Sequence, residues 1–216
     1  MKILVSGSTG LVGARLVAEL DGDGREVVRL VRRSPSGANE VEWNPAAGVL
    51  KAEEIEGCDA VIHLAGENVG SSRWTARKKA AIRESRVNGT KLLADTLAGL
   101  NSPPKVFVSA SAIGFYGDRG DERLSEESAS GEGFLADVCR AWEATTQPAQ
   151  ERGIRVVHAR LGVVLSPDGG ALQKMLTPFR MGVGGVLGDG SQYMSWISLD
   201  DVIAVSYTHL TLPTKA

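Results

Sequence analysis

Gly7-Ser8-Thr9-Gly10-Leu11-Val12-Gly13 is the stretch of this 216-residue sequence best suited to chemistry. It stands between a short apolar run and an amphipathic one. In that position each glycine has a separate use: Gly7 for a tight turn, Gly10 for close approach of a diphosphate to the backbone, Gly13 for close packing of helix on strand. The phosphates would rest on free N–H groups where the helix begins, and Ser8, Thr9, Leu11 and Val12 complete that loop. An ordinary glycine-rich turn is the plain alternative. A P-loop is excluded, because no Gly-Lys-Ser/Thr follows. Arg32 lies 19 residues past Gly13, and Arg33 follows it. An NAD site carries an acidic residue near this position for the ribose 2′-hydroxyl. Two guanidinium groups suit a 2′-phosphate instead, at about 1.5–3 kcal/mol per charge-assisted hydrogen bond. The pattern therefore predicts NADP(H), against the alternative of a solvated basic strand edge.

The elements that must position these residues alternate along the chain. Strands are expected at Lys2–Ser6, Glu26–Val31, Val41–Trp43, Asp59–Leu64, Lys105–Ser109 and Arg155–Arg160. Helices are expected at Leu11–Leu20, Trp74–Leu97, Gly133–Arg152 and Ala171–Met181. Continuous apolar strands alternating with amphipathic helices predict an α/β fold whose parallel sheet is covered on both faces. His63, at the end of one strand, is expected to pack within the sheet. Arg73, Arg77, Lys78, Lys79, Arg83 and Arg86 crowd one helical region, with a solvated face as the default reading. A helix beginning at Asp200 or Asp201 is expected to stop almost at once, at the Thr cluster and Pro213.

Composition excludes several classes. The formal net charge of −2 gives no general attraction to nucleic acid or anionic membrane. Cys58 and Cys139 form no CxxC pair, which fits a reducing cytoplasm, and the three histidines have no metal-ligand spacing. No apolar run approaches a membrane span, and the N-terminal residues make no signal-peptide core. The expected partner is a small-molecule substrate, with no metal, nucleic acid or membrane, and an oligomer is compatible with the chain.

GSTGLVG, DAVIHLAGE, VNGT, SASAIGFYG and WISLDDV together resemble the extended short-chain dehydrogenase/reductase superfamily. ESRVNGT, SAIGFYG, CRAWE and GGVLGDGSQYMSWI are similar to its atypical, epimerase-like branch. The resemblance runs from residue 1 to about 205. It implies a Rossmann-type doubly wound parallel sheet over residues 1–165 binding NADP(H), and a small substrate lobe over 166–205 that returns to the core. In that family more chain follows WISLDDV, so the lobe is expected to be incomplete and residues 206–216 to be a non-native tail. The resemblance places Leu64, Ala65 and Gly66 along the adenine and ribose side, and Ser109 and Ser111 at the strand end beside the nicotinamide. It places Arg160 at the nicotinamide end as well. Asn88 matches an asparagine on the central helix, read here as making a structural hydrogen bond.

Typical members of the superfamily carry Tyr-x-x-x-Lys on the helix at 133–143. Counting back from Glu143 puts Leu135 and Cys139 at those two positions. A phenol needs a cationic neighbour to move a proton near neutral pH, and this helix supplies neither group. Leu135, Val138, Cys139 and Trp142 fall at helical spacing and predict a core-facing stripe. Ser111 and then Tyr116 remain as polar groups able to contact substrate. Two functions stay open: an NADP(H)-dependent epimerase-like oxidoreductase acting on a small carbonyl, hydroxyl or sugar-nucleotide-type substrate, or an NADP(H)-binding regulator with little turnover.

Overall fold

The computed structural model describes residues 1–186 and 188–211. Seven strands form its central sheet: β1 (Lys2–Ser6), β2 (Glu26–Val31), β3 (Glu40–Asn44), β4 (Val49–Leu50), β5 (Ala60–His63), β6 (Val106–Ala112) and β7 (Arg155–Leu161). Their order is β4-β3-β2-β1-β5-β6-β7. Every pairing is parallel except that of β3 with β4. The chain thus builds outward from β1 to one side, then returns and builds to the other. That reversal leaves a crevice beyond the carboxyl ends of β1 and β5, where α/β sheets of this kind take ligands.

Alternation within the strands explains the two-faced core. Ile3 and Val5 in β1 join Val27, Ile62, Val106 and Val108 on one face, against Leu16 and Leu20 of α1 (Leu11–Gly22). Leu4 joins Val28, Leu30, Val61 and Phe107 on the other, against Leu93 and Leu97. The latter two belong to the long helix α3 (Ala76–Ala98), which follows a single turn, α2 (Ala52–Ile55). Each such side chain contributes about 1.5–3 kcal/mol through burial. The result is the α/β fold expected from the sequence.

Three local expectations are corrected. The helix expected over 133–152 is two helices, α4 (Phe134–Ala144) and α5 (Gln147–Glu151). Thr145 and Thr146 end the first by donating side-chain hydrogen bonds to the carbonyls of Trp142 and Glu143, and Pro148 has no N–H to continue it. Within α4, Val138, Cys139 and Trp142 are buried as expected, but Leu135 is 39% exposed. It sits in the first turn, beside Gly114 of the short 3-10 turn Ile113–Tyr116, and Ala136 is buried instead.

The C-terminal helix does not stop early. After β8 (Val163–Ser166), α6 (Gly170–Arg180) and β9 (Trp196–Ser198), which pairs parallel with β8, α7 spans Leu199–Thr211. Ile203 and Leu210 pack into the core beside α1. Ser206 and Thr208 donate back to the carbonyls of Val202 and Ala204, and Arg155 donates to the carbonyl of His209 at 2.8 Å. Tertiary packing here outweighs the weak helix propensity of threonine. Pro213 lies outside the described residues. Among those described, no helix is long and apolar enough to cross a membrane.

Candidate dinucleotide cleft

β1 ends at Ser6 and the chain turns at Gly7, whose φ is +71°. A Cβ on Gly7 would stand 2.7 Å from the carbonyl carbon of Leu64 and 2.8 Å from the nitrogen of Ala65. The glycine turn and the end of β5 are therefore in direct contact. Gly10 precedes α1 without a side-chain cap, and the first turn of the helix carries no acidic residue. The N–H groups of Leu11, Val12 and Gly13 have no partner inside the helix, although these three residues, unlike Gly7 to Gly10, are not among those lining the adjacent cleft. Gly13 has a steric reason as well: a Cβ there would lie 2.1 Å from the Gly7 oxygen.

A cleft of ≈ 780 Å³ opens beside this turn. Gly7, Ser8, Thr9, Gly10, Arg32, Arg33, Leu64, Ala65, Gly66 and Asn88 all line it, as do Trp43, Pro45 and Glu67. Three sequence-predicted elements, far apart in the chain, thus meet at one site. Asn88 makes no side-chain hydrogen bond among the described residues, contrary to the structural role expected of it. Its neighbours explain this: Gly89 packs against Trp43, and Thr90 accepts from the Trp142 indole at 2.7 Å, which leaves Asn88 on the exposed side of α3.

The two arginines differ. Arg33 donates a fork to Glu40 at 2.8 and 2.7 Å and also reaches Ser36. Glu40 is buried, its side chain 4% exposed, and accepts further from the Ser36 backbone and hydroxyl. The Arg33 bonds first, then those from Ser36, hold its carboxyl down at about 2. Arg32 is exposed and makes no hydrogen bond or ion pair among the described residues, so its guanidinium is the one of the pair available to an incoming anion. The wall opposite is firmly tied. Lys78 donates to Glu67 at 2.5 Å and to Ser71 at 2.6 Å, while Ser85 accepts from the Glu67 N–H. Arg86 donates to the Glu67 carbonyl and lies over the Trp142 ring. Lys78, first, and then Arg32 and Arg86 keep the Glu67 carboxyl below its usual range. Lys78 and Arg86 therefore turn inward, correcting the expectation of a wholly solvated basic face.

The remaining candidates gather elsewhere, at the end of β6. Ser111 donates to Glu143 at 2.6 Å. Arg160 holds both oxygens of Glu143, at 2.9 and 2.8 Å, and donates to the Tyr116 hydroxyl at 3.0 Å. Its guanidinium lies 3.5 Å from the centre of the Phe115 ring. Burial pushes the Glu143 carboxyl up, but the bonds from Arg160 and Ser111 outweigh it and hold the group below its usual value. Arg160 is correspondingly raised. Ser109 is buried, with its hydroxyl on the Ala110 carbonyl. Among the described residues that line the cleft, none of Ser109, Ser111, Tyr116 and Arg160 is included. Sequence reasoning did not single out Glu143 as a site residue, although a signal existed: it extends the buried stripe four residues beyond Cys139, and a carboxylate there requires a partner. Cys139 itself is a buried free thiol, pushed up first by burial and then by Glu143.

Residues 3–215 match the model of the NAD dependent epimerase/dehydratase family. An epimerase family protein of Mycobacterium bovis is 42% identical over 201 residues, covering 93% of this chain and 66% of the relative. Among solved structures, a nucleoside-diphosphate sugar epimerase from Corynebacterium glutamicum superposes with a TM-score of 0.88 at 42% identity, over 100% of this chain and 45% of that one. The human epimerase family protein SDR39U1, crystallised with NADPH, superposes with a TM-score of 0.86 at 32% identity, over 98% of this chain and 70% of that one. The chain thus spans just under two thirds of the Mycobacterium relative and less than half of the Corynebacterium protein.

Proposed function

The chain belongs to the NAD dependent epimerase/dehydratase family, and from that premise we propose that its cleft binds NADP(H) and serves an epimerase-like oxidoreductase. The observation that carries this reading is the glycine turn with an unpaired arginine beside it. Side chains at Gly7 or Gly13 would fill the space that brings turn, helix and opposite wall together. The free N–H groups of Leu11, Val12 and Gly13 suit a diphosphate, and Arg32 suits a 2′-phosphate. Arg33, held by Glu40, keeps donors to spare but is already oriented and largely neutralised. The NADPH in the human relative supports the choice of dinucleotide.

When bound, the cofactor supplies or accepts a hydride. Residues 1–165 act as the cofactor domain and 166–205 bear on the substrate. The substrate is a small carbonyl or hydroxyl compound, or one of sugar-nucleotide type, a class supported by the name of the Corynebacterium relative. Ser111 and Tyr116 are the polar groups assigned to its reacting oxygen. Ser111 keeps a lone pair free while donating to Glu143, and Arg160 polarises the Tyr116 hydroxyl.

A second reading has its own observation. Leu135 and Cys139 occupy the helix where a Tyr–Lys pair would stand, and Ser111 and Tyr116 are both committed within the Glu143–Arg160 cluster. That arrangement favours an NADP(H)-binding regulator with little turnover. Incubating the protein with NADPH and a broad panel of carbonyl and nucleotide-sugar substrates separates the two. Oxidation of NADPH with any of them supports the enzyme, and tight NADPH binding with silence across the panel supports the regulator.

A further inference from the structure

Beneath the cleft, one imidazole touches several of its walls. His63, the last residue of β5, has no exposed surface. Its Nδ1 lies 2.5 Å from Ser6 Oγ at the end of β1. Ser6 Oγ also accepts from the backbone N–H groups of Leu64 at 3.2 Å and Ala65 at 3.4 Å. A serine oxygen offers two acceptor positions and one proton. The Ala65 amide, and the Leu64 amide that Oγ shares with the Ser6 carbonyl at 3.2 Å, occupy those positions, which directs the hydroxyl proton to Nδ1. The ring is therefore neutral, with its hydrogen on Nε2. Burial works in the same direction, taking the imidazolium down to about 4, and no charged group among the described residues counters it. Nε2 is buried without a hydrogen-bond partner, and the ring has Trp43 at 5.7 Å edge-on and Phe107 at 6.3 Å.

These contacts reach the surfaces that shape the cleft. Leu64 and Ala65 press on Gly7, as the distances above show, so the far wall and the glycine turn meet over Ser6. Trp43 lines the cleft and leans on the imidazole. A Cβ on Gly89, next to Asn88, would stand 3.4 Å from Trp43 and 3.8 Å from His63 Cε1.

We propose that His63 is a positioning residue of the cofactor cleft: through the Ser6 hydroxyl it holds the Leu64–Ala65 wall against the glycine turn, and through its ring it seats Trp43. The inference rests on the reading of the cleft as an NADP(H) site. His63 touches no ligand. It fixes where the Ser6 proton points, and so keeps both lone pairs of that hydroxyl on the two amides. Without the ring, the hydroxyl is free to rotate and the wall keeps only the backbone bond from the Leu64 N–H to the Ser6 carbonyl.

The test uses Ser6→Ala, His63→Leu and the double variant, with NADPH titrated by fluorescence and amide exchange followed in the cofactor-free protein. Each single variant is expected to bind NADPH about tenfold more weakly, the effect of one lost hydrogen bond. The double variant is expected to be no weaker than the weaker single one, because both changes break the same joint. Amide exchange at Ala65 is expected to quicken in both, and at Leu64 less, because that N–H keeps the Ser6 carbonyl. The imidazole ¹⁵N spectrum of the unmodified protein is expected to show hydrogen on Nε2 and an acceptor at Nδ1. Unchanged affinity in Ser6→Ala, losses that multiply in the double variant, or a hydrogen on Nδ1 overturns the proposal. If His63→Leu does not fold, Ser6→Ala and the imidazole spectrum decide alone. A wild-type chain that takes up no NADPH refutes the cofactor reading instead, while the exchange rates and the tautomer still judge the joint.

Discussion

Replacing Gly13 by alanine sets two effects of opposite sign against each other. Alanine is the better helix former, by about 0.8–1.0 kcal/mol in a helix interior. Against this, its Cβ would lie 2.1 Å from the Gly7 oxygen, 2.8 Å from the Gly7 carbonyl carbon and 3.0 Å from the Ser8 Cα. All three are backbone atoms, so no side chain can swing aside, and the turn itself must move. Overpacking of this kind costs about 1–3 kcal/mol, and sometimes more. With contacts this short to backbone the cost falls at the upper end, so the clash wins, and Gly13→Ala is expected to lose about 2 kcal/mol of stability net, roughly 4–8 °C in melting temperature for a chain of this size. The displaced turn should also weaken NADPH binding. Gly22, at the end of the same helix, is the internal control. Nothing lies within 4 Å of a Cβ there and its φ is not positive. Gly22→Ala is expected to be neutral or stabilising by about 0.5 kcal/mol. Urea and thermal unfolding of both variants, with an NADPH titration of each, measure the contrast. If Gly13→Ala proves as stable as wild type and binds NADPH equally well, the steric account of the turn is wrong.

Two further outcomes concern the buried titratable groups. Glu143→Gln leaves Arg160 beside a neutral group in a half-buried site, and is expected to cost about 2–4 kcal/mol in urea unfolding; a loss below about 0.5 kcal/mol would show that the pair contributes nothing measurable. His63 has its folded pKa lowered from 6.5 to about 4. The unfolded chain therefore binds the extra proton first, so the stabilisation is fully present above pH 6.5 and lost as pH falls to about 4. Its share is on the order of 3 kcal/mol, with His158, also lowered mainly by burial, adding in the same direction. Stability measured from pH 7 to 4 should fall with a steeper slope in wild type than in His63→Leu, and equal slopes would contradict the assignment.

Much of the fold was legible because it depends on neighbours in sequence. Gly7, Gly10 and Gly13 carry their geometry within one turn, and the apolar runs of β1, β2, β5 and β6 need only sheet burial on both faces. What escaped depends on contacts that spacing does not encode. Arg33 and Arg32 are adjacent and chemically alike, yet a loop brings Glu40 under one of them and leaves the other open. Lys78 and Arg86 read as surface charges until the loop after β5 folds over α3 and offers Glu67 and its carbonyl. Helix α7 outlasts its own propensities because Ile203 and Leu210 have α1 to pack on. The candidate site divided likewise. Its phosphate side lay in one motif, whereas the Ser111–Glu143–Arg160–Tyr116 cluster draws on three separate elements and the short turn after β6, and became visible only once the strands were in register.

The most direct test of the account is a parallel titration of NADPH and NADH into the wild-type chain and into Arg32→Ala and Arg33→Ala. A free guanidinium on a 2′-phosphate is worth about 1.5–3 kcal/mol, or roughly tenfold to a hundredfold. Wild type is expected to favour NADPH by that factor, Arg32→Ala to lose most of the preference while binding NADH unchanged, and Arg33→Ala, whose partner is Glu40, to lose less. Equal affinity of the wild-type chain for the two nucleotides, or a preference that survives Arg32→Ala, would contradict the central claim.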